Sequence, residues 1–221
     1  MSSPDRSVAP DGSPVEVYRV VPLEPEFSPL LQAIIPRASV LDLGCGAGRL
    51  ANHLAARGHR VLGVDASPEM LEHVDARVTT HCSAIQDLRL PDSFDAVVLA
   101  SHFVNVADQR LRLQLLRSAS RHLGEEGSLY LQRYDPGWDP AVGARSSRIG
   151  GLDVTTEVLR RKGKRFDART TYRIGMSEWR QHHTAQIVDD EDLTRALATV
   201  GLRLRSELDT SRRWVEAVHE R

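Results

Sequence analysis

Three alternating glycines form the stretch of this chain best suited to chemistry, the turn Gly44-Cys45-Gly46-Ala47-Gly48. Glycine lacks a Cβ atom, so such a turn takes positive φ angles and lets a ligand approach the backbone closely. Asp42 precedes the turn. Asp65 follows about one strand–helix–strand unit later, where its carboxylate can accept two hydrogen bonds from a ribose diol. The N-terminus of the next helix favours anions. The pattern therefore predicts a ligand with a ribose and an anionic group.

Two apolar runs and one helical pattern must hold these groups in place. Residues 38–43 and 60–64 are short and apolar, as buried strands are, and residues 47–57 have helical spacing that stops at Gly58. This is half of a doubly wound nucleotide-binding unit. The dinucleotide pattern G-x-G-x-x-G needs Gly or Ala at position 49, where this chain has Arg49. A nicotinamide or flavin cofactor remains an alternative.

The spacing D-x-G-x-G-x-G over residues 42–48 resembles the class I S-adenosylmethionine-dependent methyltransferases, in particular those that act on small molecules. The strings DASPEML at residues 65–71 and S-F-D-x-V at residues 93–97 are also typical of that family. Ser67 suits the N-cap of a short helix and Pro68 its first position. The resemblance implies S-adenosylmethionine as cofactor, S-adenosylhomocysteine as product, and methyl transfer by in-line displacement to a small-molecule acceptor.

The resemblance also implies which residues contact the cofactor, and one position departs from the family. The family usually has an acidic residue at position 84 to bind the adenine amino group, but this chain has Ala84. Either the backbone of Ala84 and Ile85 reads the adenine, or Asp87 compensates. The implied contacts are Asp42, Gly44, Cys45 and Gly46 at the methionine end, Asp65 at the ribose, Ala66, Met70, Ala84 and Ile85 toward the adenine side, and Ser101 beside the sulfonium.

The acceptor side is expected beyond the fourth strand. Residues 93–100 are almost continuously apolar, as a central parallel strand should be, and they run into Ser101 and His102. In open α/β sheets the ligand crevice lies beyond the carboxyl ends of the strands. His102 is the first candidate for a catalytic or substrate-orienting residue, although a structural histidine under the cofactor is an equal alternative. Tyr134 and His183 are weaker candidates.

The remaining pattern predicts one α/β domain, a three-layer Rossmann-like sandwich around a mostly parallel seven-stranded sheet with an antiparallel terminal strand. From residue 151 the apolar period changes to two, which indicates a small antiparallel sheet inserted after the fifth strand. In the resembled family such an insert covers the acceptor or forms a dimer contact. The expected divisions are a disordered tail at residues 1–13, a methyltransferase domain at 14–221, and inserted strands at about 150–188.

The composition limits the classes of partner that the protein is expected to bind. The 29 basic and 30 acidic residues give a net charge of −1, so no basic field is available to gather nucleic acid. We expect no nucleic acid, no membrane span, no metal and a possible homodimer. The two cysteines have no C-x-x-C spacing and suit free thiols in a reducing compartment, hence the cytoplasm.

Two other functions stay open at this point. One is an NAD(P)-dependent oxidoreductase, against which Arg49 argues. The other is a non-catalytic S-adenosylmethionine-binding module. The alanine at position 84, where the family usually has an acidic residue, is the only feature of the sequence that favours it. No N-P-P-Y-like string, typical of methyltransferases that modify amino groups of DNA or protein, follows the fourth strand. The sequence therefore favours a small-molecule acceptor without naming the methylated atom as O, N or C.

Overall fold

The computed structural model describes residues 7–23 and 25–220, which form a three-layer α/β sandwich with an extra sheet. The strands are β1 (Ser39–Leu43), β2 (Arg60–Asp65), β3 (Thr79–Cys82), β4 (Phe94–Leu99), β5 (Leu123–Gln132), β6 (Gly143–Ile149), β7 (Leu152–Lys162), β8 (Arg165–Ile174), β9 (Ser177–Gln186), β10 (Leu202–Glu207) and β11 (Trp214–His219). The α-helices are α1 (Val15–Val20), α2 (Ser28–Ala33), α3 (Arg49–Ala56), α4 (Pro68–Leu71), α5 (Gln109–His122) and α6 (Asp190–Ala198).

The main sheet has seven strands in the order β10-β11-β5-β4-β1-β2-β3. Strand β1 pairs in parallel with β2 and β4, and β4 pairs in parallel with β5. The chain's last strand, β11, runs antiparallel between β5 and β10. The predicted fold class is confirmed. Because β1, β2, β4 and β5 are parallel, the residues that follow them meet at one edge of the sheet.

The start of α4 follows the predicted chemistry, because Ser67 Oγ accepts a hydrogen bond from Met70 N. Asp189 caps α6 in the same way by accepting a hydrogen bond from Asp192 N. Glycine commonly follows the end of a helix, but Gly124 does not set the end of α5. Strand β5 already begins at Leu123, which pairs with Phe94 of β4. Pairing with the neighbouring strand thus decides this boundary.

The inserted sheet has four strands in the order β6-β7-β8-β9, all antiparallel. The alternation in the sequence predicted the last three strands. Strand β6 starts at Gly143, before the predicted insert, and six of its seven residues are exposed, so no apolar period marks it. One face of the sheet packs Phe166 and Ala168 with Ala185 against Tyr134. The insert therefore buries its apolar face over the loop that follows β5.

The predicted disordered tail is corrected for residues 7–13, while residues 1–6 lie outside the described chain. Val8 forms an antiparallel bridge with Pro14, and Ala9 is buried. Gln181 Nε2 of β9 donates a hydrogen bond to Ser13 Oγ at 2.9 Å. Ala9 also belongs to a buried cluster with Met70 and with Ala47 of the glycine turn. The segment thus joins the insert to the glycine-rich end of the main sheet.

Within the described residues, no helix is both long enough and apolar enough to span a bilayer.

Candidate active site

The glycine turn is tied to the end of β2 by hydrogen bonds. The N–H groups of Gly44 and Cys45 both donate to Val64 O, at 2.8 and 2.9 Å. The N–H of Gly46 donates to Asp65 Oδ2 at 2.8 Å. The structure therefore brings the turn and the predicted ribose carboxylate together. It also shows that each of these three N–H groups has a partner inside the protein.

Packing explains why residue 44 is glycine. Its φ is +74°, and a Cβ atom at this position would lie 2.4 Å from Cε2 of Phe103 and 3.4 Å from Cδ1 of Ile85. The first distance is well below a van der Waals contact and the second is an ordinary contact, so a larger residue would force Phe103 away. Phe103 packs against the glycine turn. The sequence did not predict this contact, because Phe103 lies in the segment after β4.

Asp42 is only 2 % exposed, and its burial raises the pKa of its carboxyl to about 7. The Arg49 guanidinium and the N–H of Ala51 act in the opposite direction, while Asp65 adds to the rise. Ala51 lies in the first turn of α3, so the anion expected at this helix N-terminus is supplied by Asp42 itself. A neighbouring cation would favour the ionised carboxylate.

Asp65 is half-buried, and burial raises the pKa of its carboxyl despite hydrogen bonds from the N–H groups of Ser67 and Gly46. The Arg49 guanidinium carbon lies 4.8 Å from the centre of the Phe27 ring. Residue 49 therefore does not sit in a tight helix–strand contact that admits only Gly or Ala. Among the described residues, no group of three or more His, Cys, Asp or Glu side chains could hold a metal ion.

The predicted adenine-side residues lie at different depths. Ala66 is exposed, and its carbonyl oxygen is 3.9 Å from the Cys82 sulfur. Met70 is only 2 % exposed and packs under the N-terminal segment. Ala84 is half-buried, Ile85 is buried against the glycine turn, and Asp87 is exposed.

Ser101 and His102 form an unusual turn at the end of β4. Both residues have left-handed backbones, with φ of 52° and 59°. The N–H of Ser101 donates to Oε1 of Gln132 at 2.8 Å. The imidazole of His102 stacks on the Tyr134 ring at 4.2 Å between centroids and 15° between planes. The turn thus presents His102 to the aromatic side chains behind β5.

His102 is neutral at physiological pH. Burial lowers the pKa of its imidazole to about 4, helped by the positive charge of Arg213 and, more weakly, by His183 and Arg49. The Arg133 carbonyl acts in the opposite direction. In the part of the chain that is described, the buried Nδ1 of His102 has no hydrogen-bond partner. This nitrogen therefore has an unused hydrogen-bonding position that is closed to solvent in this structure.

The structure brings the three predicted acceptor-side residues into one region. The backbone N–H of Tyr134 donates to Asn105 Oδ1 at 2.9 Å, and burial raises the pKa of its phenol to about 12. The ring of Tyr134 also lies 5.2 Å from Trp138 and 5.7 Å from Phe166. His183 is half-buried on β9, where burial lowers the pKa of its imidazole.

Sequence reasoning did not assign Trp138, Phe166, Asn105 or Gln132 to this region. Phe166 lies on a strand with an apolar period of two, but nothing local indicates that this strand packs on Tyr134. No sequence pattern marks the two buried carboxamides. The ring centre of Tyr18 lies 6.4 Å from that of Tyr172 on β8.

Comparison with known proteins supports the fold and finds a matching family for part of the chain. Residues 40–127 match the family described as methyltransferase domain. The chain is 36 % identical over 119 residues to the cypemycin N-terminal methyltransferase of a Streptomyces species, covering 51 % of this chain and 46 % of that protein. The chain thus spans about half the length of the curated relatives it matches.

Two solved structures share the architecture. The sugar N-methyltransferase KedS8 from a Streptoalloteichus species superposes with a TM-score of 0.71 and 22 % identity, over 100 % of this chain and 99 % of that one. The S-adenosylmethionine-bound amino pentose methyltransferase CalS10 from Micromonospora echinaspora has a TM-score of 0.66 and 24 % identity, over 88 % and 89 %. These likenesses establish the fold. The match over residues 40–127 shows that this part of the chain is similar to the methyltransferase domain family.

Proposed function

We propose that this protein transfers a methyl group from S-adenosylmethionine to a small-molecule acceptor. The observation that carries the proposal is the meeting of two half-sites at one edge of the sheet. The glycine turn with Asp42 and Asp65 follows β1 and β2. His102 and Tyr134 follow β4 and β5, which are parallel to them. Donor and acceptor sites are thereby adjacent.

The donor side fits S-adenosylmethionine chemically. The molecule carries an ammonium and a sulfonium, and two buried or half-buried carboxyls with raised pKa values stand at the turn. A neighbouring cation would stabilise the ionised form of both carboxyls. A Cβ atom at Gly46 would meet nothing within 4 Å, so the turn has open space on that side. The proposed contacts are Asp42, Gly44, Cys45 and Gly46 for the methionine end, Asp65 for the ribose, Ala66, Met70, Ala84 and Ile85 toward the adenine side, and Ser101 near the sulfonium.

Bound S-adenosylmethionine supplies an electrophilic methyl group. The chain's own task is to align the acceptor and exclude water, and such positioning contributes on the order of 7–11 kcal/mol. The aromatic rings of Tyr134, Trp138 and Phe166 provide the water-excluding wall. His102 and His183 stand beside it as neutral groups that accept or donate hydrogen bonds.

The low pKa of His102 bears on the methylated atom. An imidazole with a pKa of about 4 is a weak base, so it cannot hold the proton of an alcohol at neutral pH. A neutral amine attacks through its lone pair, and an amine that arrives as its ammonium ion first loses that proton to solvent. We propose an amine acceptor, with His102 or Tyr134 orienting it. Two relatives described above are named as methyltransferases of an N-terminus and of a sugar nitrogen.

We propose the cytoplasm as the working compartment, since Cys45 and Cys82 are both free. A homodimer remains a proposal as well, and strand β6 offers an exposed edge for it.

Calorimetric titration with S-adenosylhomocysteine tests the donor site. Asp65→Ala should weaken binding about 10- to 150-fold, the loss of hydrogen bonds to a charged group. Asp95→Ala is the matched control, because Asp95 accepts hydrogen bonds from Ser39 at the other end of the sheet. Equal affinity of wild type and Asp65→Ala would refute the assignment. Binding of NAD(P) in place of S-adenosylhomocysteine would favour an oxidoreductase.

Labelled S-adenosylmethionine with a panel of amino sugars, amino-terminal peptides and phenols tests the transfer. Label on amines alone is the expected outcome. Label on phenols alone would overturn the inference about the acceptor atom. Tight binding without transfer to any compound would favour a non-catalytic module.

A further inference from the structure

The side chain of Gln132 lies at the end of β5, only 1 % exposed, between the main sheet and the His102 turn. Both ends of its carboxamide have partners. Oε1 accepts a hydrogen bond from the N–H of Ser101 at 2.8 Å, and Nε2 donates to Oε1 of Glu26 at 3.1 Å. A buried carboxamide with both ends used has one fixed orientation.

Glu26 explains that orientation. Its carboxylate has only acceptor oxygens, so the amide nitrogen must face Glu26 and the amide oxygen must face Ser101. Glu26 is itself held in place by contacts with the first residue of β11 and the residue before it. Its carbonyl oxygen accepts a hydrogen bond from Trp214 Nε1 at 2.8 Å, and its carboxylate lies 3.6 Å from Arg213. A continuous chain of contacts therefore links β11 to the backbone of Ser101.

The backbone at Ser101 and His102 needs such support. Two consecutive residues with Cβ atoms hold positive φ, each at a cost of about 1–2 kcal/mol relative to an ordinary conformation. Among the described residues only four non-glycine residues have positive φ, and these two are the only adjacent ones. The conformation turns the chain sharply after β4 and sends the imidazole of His102 onto Tyr134.

We propose that Gln132 is a positioning residue, which holds the Ser101–His102 turn in its left-handed form and so fixes the imidazole of His102 against Tyr134. Its importance for methyl transfer rests on the proposed function, whereas its effect on His102 does not. Tyr134 is held separately, through its N–H bond to Asn105 and the contacts of its ring with Trp138 and Phe166, so its ring should stay in place when Gln132 is changed.

Imidazole titration by nuclear magnetic resonance tests this without knowledge of the acceptor. Gln132→Leu keeps the side chain's bulk but leaves the Ser101 N–H without its acceptor. The turn should relax and the imidazole should leave its buried position. The pKa of His102, about 4 in the wild type, should then rise by more than one unit toward the ordinary 6.5. The His102 signal is assigned by its loss in His102→Gln.

His122→Leu is the matched control. His122 is also fully buried and accepts a hydrogen bond from a backbone N–H, that of Leu90, but it lies on α5. It should lower stability while leaving the His102 titration unchanged. Ser101→Gly tests the strain directly, since glycine adopts this φ freely. Added to Gln132→Leu, it should return the His102 pKa toward the wild-type value.

Glu26→Ala is a second variant that avoids the core. It frees the carboxamide to rotate and should raise the His102 pKa in the same direction by a smaller amount. An unchanged His102 titration in both Gln132→Leu and Glu26→Ala would overturn the proposal. An equal change in His122→Leu would also overturn it. Binding of S-adenosylhomocysteine is measured on the same samples. Its absence in the wild type would count against the proposed function and leave the test of Gln132 intact.

Discussion

The buried carboxyl of Asp42 should make binding of the proposed ligand depend on pH. Burial raises its pKa to about 7, so the group is half protonated at neutral pH in the free protein. The methionine end of the ligand carries an ammonium, which favours the ionised carboxylate. Binding should therefore release the proton of Asp42, and acid should weaken binding.

The magnitude follows from this pKa. If the ionised form alone binds, the dissociation constant of S-adenosylhomocysteine scales as 1 + 10^(pKa − pH). With a pKa of about 7 the factor is about 1.1 at pH 8, about 2 at pH 7 and about 11 at pH 6. Affinity at pH 6 should thus be about tenfold weaker than at pH 8, with close to one proton released per ligand bound at pH 6.

Calorimetry at pH 6, 7 and 8 measures this, in pairs of buffers with different ionisation enthalpies so that released protons are counted. Asp42→Asn is the control, because its affinity should be weaker than that of the wild type but should not change with pH through this site, and it should release no proton from it. Identical affinity at pH 6 and pH 8 for the wild type would refute the reasoning. So would proton release that persists in Asp42→Asn.

The same carboxyl affects stability. Its pKa is higher in the folded than in the unfolded chain, so between about pH 4 and 7 the folded chain binds more protons. The free energy of unfolding should therefore fall as pH rises through this window. Urea unfolding at pH 5 and 8 should show Asp42→Asn gaining stability relative to the wild type at the higher pH. A constant difference would contradict the raised pKa.

Three further predictions concern the turn, a buried cation and the thiols. Gly44→Ala should unfold at lower urea than Gly46→Ala, because both have positive φ but a Cβ at residue 44 alone meets an aromatic ring. Arg133→Met should cost about 1–3 kcal/mol in urea unfolding, since this fully buried guanidinium donates to the carbonyls of Arg212 and Val188, which Met leaves without a donor; an unchanged stability would contradict it. A thiol reagent should modify exposed Cys82 quickly and buried Cys45, whose thiol pKa burial raises, only after unfolding; two fast thiols would contradict this.

Local signals in the sequence were enough for the main architecture. The glycine spacing, the apolar runs and the capping residue Ser67 each act within one turn or one strand, so a reader of the sequence can find them without knowing the tertiary contacts. They predicted the seven-stranded sheet, the order of its elements and three strands of the insert. They also placed Asp65 beside the glycine turn, where the structure shows it bonded to Gly46.

Elements without a periodic pattern of apolar residues were not predicted from the sequence. Strand β6 is polar along nearly its whole length and is a strand because β7 pairs with it from Gly143 to Ile149. The beginning of β5 at Leu123 likewise depends on its pairing with β4. Residues 7–13 are polar enough to suggest disorder, yet contacts with β9 and with Met70 order them. In each case a distant partner supplies what the segment itself lacks.

The sequence by itself thus determined the proposed donor half, since a glycine turn and two carboxylates lie within 25 residues of one another and their chemistry follows from residue type. In the proposed acceptor half the sequence indicated His102, Tyr134 and His183, but only the tertiary structure decided which side chains surround them. His102, Gln132 and Phe166 are far apart in the chain, and their meeting depends on how the insert packs over β5. Burial, which only the fold creates, also sets the low pKa of His102 and the high pKa of Asp42.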